Sequence, residues 1–157
     1  MRIKLLCVCL GLVLLLAGCG SGQPVQTDIK FDFELIGEHG TFFINAEVGE
    51  DAVKYTVLSP ESIEGLTFVF LENTVETEFL SHQQTFPRKS GEYGILGSLY
   101  NAFSGLRGAV AQKSGDKYIA EITVDGVNYT FTVTEMGLPI SVRFGDNEIY
   151  FKNITNL

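Results

Sequence analysis

Ile95-Leu96-Gly97-Ser98-Leu99-Tyr100-Asn101-Ala102-Phe103-Ser104-Gly105-Leu106-Arg107-Gly108-Ala109-Val110-Ala111 is the stretch where the chain changes its hydrophobic period. Leu96, Leu99, Tyr100, Phe103, Leu106 and Val110 recur at offsets of three and four, which predicts an amphipathic helix from about Ile95 to Ala111. Gly97, Gly105 and Gly108 weaken it by roughly 1 kcal/mol each relative to alanine, so its stability must come from packing on another surface.

On either side the period is two. Ile29, Phe31, Phe33 and Leu35 alternate with charged residues, Gly37 to Gly40 makes a turn, and Phe42, Ile44, Ala46 and Val48 resume the pattern. Val53, Tyr55 and Val57 form the next strand. Ser59-Pro60-Glu61-Ser62 reads as a helical turn with Ser59 as N-cap and Pro60 at its first position, ended at Gly65. Leu66 to Leu71 is apolar on both faces, as in a strand that is central or covered twice. Val75, Thr77 and Phe79 continue the alternation, followed by a weaker extended stretch to Pro87.

Beyond the helix, Tyr118 to Val124 and Val127 to Val133 flank Asp125-Gly126, a strong hairpin signal. Gly137-Leu138-Pro139 breaks the chain before Ile140, Val142 and Phe144, and Glu148 to Ile154 is the last strand. The pattern predicts a mainly β, α+β domain over residues 28–157, with about nine or ten strands and one principal helix after the sixth.

Upstream, Arg2 and Lys4 precede an uncharged run from Leu5 to Leu16, and Leu16-Ala17-Gly18-Cys19 closes it. This pattern resembles the lipobox of bacterial lipoproteins. The resemblance implies a signal peptide over residues 1–18, cleavage between Gly18 and Cys19, and a diacylglyceryl thioether on Cys19. The apolar run is shorter than the roughly 20 residues a spanning helix needs. Residues 19–27, with Gly20, Ser21, Gly22 and Pro24, read as the lipidated cysteine and a flexible tether. The expected location is the extracytoplasmic face of the cell membrane, reached through the lipid on Cys19.

Cys7 and Cys9 leave with the signal, so the mature chain has no internal disulfide, and a lipidated Cys19 is no nucleophile. The full sequence carries a net charge of −8, and loss of Arg2 and Lys4 makes it more acidic still. Such a surface disfavours nucleic acid and anionic headgroups.

The order of lipobox, strand meander, Ser59-to-Leu66 segment, helix and Gly137-Leu138-Pro139 turn resembles the LolA/LolB-type superfamily, and especially small bacterial lipoproteins of that shape. That likeness spans about residues 28–156. It implies an antiparallel sheet curled into a half-barrel, with the helix on its concave face and a cavity that accepts acyl chains or lipidated protein. No binding residue carries over by motif.

The candidate catalytic and metal groups are weak. His39 and His82 have no ligand-spaced partner, and neither a metal nor another cofactor is expected. Glu76 and Glu78 share a strand face, and Glu72 stands nearby, but solvation explains all three. Glu47, Glu50 and Asp51 lack the spacing of a calcium loop. Ser98 and Ser104 lack a nucleophile elbow, and the sequons at Asn128 and Asn153 read as coincidence in a bacterial lipoprotein. An enzyme is not expected.

One constellation remains. The stripe of Leu96, Leu99, Tyr100, Phe103, Leu106 and Val110 faces a sheet row of Phe31, Phe33, Phe42, Tyr55, Phe68, Phe70, Phe79, Tyr129 and Phe131. Two readings stand. Leu96, Leu99, Tyr100, Phe103, Phe68, Phe70 and Phe131 line a site for an acyl chain or another apolar ligand, or the two faces simply close into a core. In the second case the domain is an assembly module that meets envelope proteins through its outer surface.

Overall fold

The computed structural model describes residues 22–38, 40–89 and 93–157; Cys19 and His39 lie outside them. The fold is mainly β with one helix, in two antiparallel sheets. The strands are β1 (Gln23–Pro24), β2 (Ile29–Gly37), β3 (Gly40–Val48), β4 (Val53–Ser59), β5 (Thr67–Phe70), β6 (Thr74–Phe79) and β7 (His82–Pro87). After the helix α1 (Gly94–Leu106) come β8 (Val110–Ser114), β9 (Lys117–Val124), β10 (Val127–Val133), β11 (Pro139–Phe144), β12 (Asn147–Tyr150) and β13 (Lys152–Asn156). One sheet has the order β1-β8-β9-β10-β11-β12 and the other β13-β2-β3-β4-β5-β6-β7.

Phe151 joins the two sheets. It separates β12 from β13, its N–H donates to the Ile140 carbonyl at 2.9 Å, and its ring is buried 4.3 Å from that of Phe31. The single last strand expected from Glu148 to Ile154 is therefore two, because an aromatic side chain drawn into the core bends the chain from one sheet onto the other. That break, the β6–β7 turn and the short β1 and β8 raise the strand number above nine or ten.

The helix lies between the inner faces of both sheets. Phe103 is 5.4 Å from Phe31 on one side and 5.5 Å from Phe131 on the other. The helix is shorter than its apolar stripe suggests. Arg107 takes an extended conformation, Gly108 a positive φ of 71°, and the Ala109 N–H bonds the Leu106 carbonyl. Val110 consequently leaves the stripe and becomes a half-exposed residue of β8.

Two further expectations are corrected. Ser59 ends β4 and caps nothing; Pro60 is extended at ψ 161° and occupies the capping position before a short 3-10 turn, Glu61–Ile63. The apolar strand β5 is internal to its sheet, as a strand that is central or covered twice allows: Phe70 is fully buried, and Val69 pairs on the opposite face with Lys54 and Glu76. The stretch read as a tether is docked from Gln23 onward. Gln23 and Pro24 pair with Ala111 and Val110, the Val25 N–H donates to Ala109, and the Val25 side chain joins the core. An apolar side chain at Val25 gains about as much from burial as any core valine, which offsets the cost of ordering the polar residues around it.

Candidate functional site

The space between α1 and the sheets is filled by the protein itself. Leu99, Phe103 and Leu106 are fully buried and Tyr100 nearly so, against Phe31, Phe33, Tyr55, Phe70, Tyr129 and Phe131, which are all buried. The rings form a continuous chain of contacts. Phe33 lies edge-on to Tyr55, Tyr55 edge-on to Phe70, and Phe70 stacks on Tyr100 at 5.8 Å. Of the proposed ligand-lining residues, Leu99, Tyr100, Phe103, Phe70 and Phe131 come together at this centre. Leu96 and Phe68 pack at its margin, half-buried, as does Phe42, while Phe79 on β6 is half-buried outside that cluster.

At Gly105 the helix packs closely on Ile122 and Val124 of β9. A Cβ there would stand 2.4 Å from Val124 Cγ2 and 3.0 Å from Ile122 Cδ1, so the glycine permits close packing and leaves no passage for an alkyl chain. Beside the first turns of α1 is a cavity of about 30 Å³ lined by Phe70, Arg88, Gly97, Ser98 and Asn101. That holds a water or two, against about 300 Å³ or more for a ligand pocket. Larger concavities lie outside. One of about 540 Å³ runs over the outer face of β8 to β11, lined by Val110, Gln112, Ile119, Glu121, Thr130 and Arg143.

Arg88 is a feature the sequence pattern missed. Its Nε–H donates to the Glu72 carbonyl at 2.9 Å, a terminal N–H donates to Asn101 Oδ1 at 3.0 Å, and the guanidinium sits 4.4 Å from the Tyr100 ring centre. It clamps the loop after β5 onto the helix. A lone arginine after a proline in a weakly patterned stretch carries no signal for such a role.

The polar candidates are dispersed. Glu72 and Glu78 are exposed, and Glu76 and Glu78 face outward across from Thr85 and Gln83. Glu47 accepts a hydrogen bond from Lys30 at 2.8 Å, and that bond holds its carboxyl below the usual range. His82 is exposed at the start of β7, and Ser98 Oγ donates back to the Gly94 carbonyl. Asn128 Oδ1 accepts from Thr123 and Asn153 donates to Asp32, so both sequon asparagines are engaged in local bonds. No group of three or more metal-ligating side chains occurs among the described residues. Nor is any helix among them long and apolar enough to cross a membrane.

The core has one unsatisfied side-chain polar atom among the described residues, the Tyr55 hydroxyl. Burial, and secondarily the neighbouring Tyr100, pushes its pKa well above the ordinary tyrosine value. The rings of Phe33 and Phe70 stand edge-on to the Tyr55 ring.

No family model matches the chain, and no curated protein is similar to it. A solved structure described as that of an uncharacterized conserved protein from Thermus thermophilus is similar at 12% identity. The match covers 82% of this chain and 78% of that one with a TM-score of 0.47.

Proposed function

We propose that this chain is a non-enzymatic bacterial lipoprotein, lipidated on Cys19 and held at the extracytoplasmic face of the cell membrane, whose domain works by contact with envelope proteins through its outer surface. The observation that carries the functional part is the closed interior. Leu99, Phe103 and Leu106 are fully buried, and Gly105 sits against Val124 with no room for a methyl group. An acyl chain would have to displace the protein's own aromatic core. The lipid on Cys19 then serves as anchor, since two acyl chains hold a protein stably at a bilayer without a basic patch.

The test is native mass spectrometry of the full chain extracted in detergent, together with fluorescent fatty-acid displacement. We expect a diacylglyceryl mass on a chain beginning at Cys19, no additional acyl ligand, and a stoichiometric protein partner. A second, non-covalent lipid displaced by fatty acid overturns the closed-core reading. An unmodified Cys19 overturns the anchor.

A further inference from the structure

The two outermost strands of the joined sheets are unlike each other. At one end β1 is two residues long and contains Pro24, which has no N–H to offer a neighbour. At the other end β7 runs six residues, exposed along its whole length, in unbroken register with β6 from Phe79↔His82 to Thr74↔Pro87. In a two-residue antiparallel hairpin the pair closing the turn exchanges hydrogen bonds, and pairs alternate from there. His82, Gln84 and Phe86 thus direct their backbone groups at β6, while Gln83 and Thr85 direct theirs outward. Among the described residues no backbone group bonds that outer side. Sheets protect such edges with lysines, bulges or short strands. From His82 to Phe86 the edge has none of these, and Pro87 stands only at its end.

We infer that β7 is a strand-pairing site whose partner is β7 of a second copy of this chain, antiparallel about Gln84. In this register Gln83 faces the second copy's Thr85, and Thr85 faces its Gln83. Outward backbone groups meet outward backbone groups at both pairs, so each pair exchanges its hydrogen bonds fully. Moving the two-fold centre to Thr85 sets Gln83 against a proline without a donor. Moving it to Gln83 sets Thr85 against Ser81, which lies in the turn. Only the centre at Gln84 uses every outward group of Gln83 and Thr85. The side chains agree: two Gln84 amides meet, each carrying donors and an acceptor, and Phe86 lies beside the second copy's His82.

The acidic surface does not oppose this pairing. On the outer face Glu78 precedes Gln83, the second copy's Thr85 and then its Glu76. The two carboxylates are three strand spacings apart, about 14 Å, beyond the screening length of about 8 Å at physiological salt. The inference requires neither the lipid nor any reading of the core.

Sedimentation of the full chain in detergent tests it, comparing the parent with the double variant Gln83→Lys/Thr85→Lys. Within one copy the lysines stand opposite Glu78 and Glu76, so melting temperature should hold or rise. Across copies they face each other, and association should weaken about tenfold or more. Gln84→Cys should form a covalent dimer on mild oxidation, because a non-hydrogen-bonded pair brings its Cα atoms within about 4.5 Å. Glu78→Cys should cross-link no more than the parent. A parent that is monomeric at high micromolar concentration overturns the proposal. So does a double variant that dimerises as tightly as the parent, equal cross-linking at positions 84 and 78, or a strand of another protein captured on β7.

Discussion

Around α1 the large side chains of both sheets are closed off from solvent, whereas on β7 all six residues are exposed. Both regions arise from the same two-residue alternation. The difference lies in what stands against the inner face. Phe31, Phe33, Tyr55, Phe70 and Phe131 meet the helix or one another, while Gln84 and Phe86 lie outside that buried cluster. Stability should therefore concentrate in the first region, and opening or association in the second.

The contrast breaks most sharply if a charge at its centre is tolerated. Leu99→Asp puts an unpaired carboxylate where exposure is 0%, and should cost more than about 4 kcal/mol. Chemical denaturation of the variant checks this, and near-parent stability would mean the helix is detachable. Gly105→Leu comes next. With Val124 Cγ2 only 2.4 Å from where the new Cβ would stand, overpacking should lower stability by about 1 to 3 kcal/mol. Unchanged melting temperature would reveal a space that could hold a ligand.

Much of this contrast was legible in the sequence. The strict alternation from Val127 to Val133, the Asp125-Gly126 turn with φ of 50° and 78°, and the helical spacing of Leu96 to Leu106 each matched a local rule strong enough to survive folding. What local rules could not show was where partners stand. Val110 fits the helical period, yet Gly108 turns the chain and β1 claims the strand. The apolar run from Leu66 to Leu71 allows a central strand or a doubly covered one, and only the sheet order shows β5 to be internal. Leu99, Tyr100, Phe103, Phe70 and Phe131 come together because an apolar stripe must meet an apolar row, while Leu96 and Phe68 stay at its margin. Whether a gap remained between them depended on how closely Gly105 approaches Val124, a distance set by tertiary packing and absent from any spacing.

Tyr55→Phe sharpens the core side of the comparison. The hydroxyl is buried without a partner, so its removal should leave stability unchanged or raise it by about 1 kcal/mol at neutral pH. The pH dependence gives the sign. Burial raises the folded-state pKa of Tyr55, so between the unfolded and folded values the unfolded chain has lost a proton that the folded chain keeps. Its contribution is fully present below about pH 10 and is lost as pH rises from there, at about 1.4 kcal/mol per unit. Denaturation at alkaline pH should show a shallower fall in the phenylalanine variant, and parallel curves would mean the hydroxyl has found a partner.

The smallest effect should be confined to the exposed hairpin. Leu80 and Ser81 connect β6 and β7 with φ of 49° and 67°, both in the left-handed region that a two-residue turn of this hand demands and that a leucine adopts at a cost. Asparagine and glycine suit those two positions, so Leu80→Asn/Ser81→Gly removes strain and also an apolar side chain that is 77% exposed. If β6 and β7 open independently of the helix-packed centre, the gain of a few tenths to about 1 kcal/mol stays local. Hydrogen exchange should slow at Thr77, Gln84 and Phe86, with amides of β2, β3 and β10 unchanged. Slower exchange across all of these strands would show the two regions to be one cooperative unit, and the contrast between them to be one of solvent exposure alone.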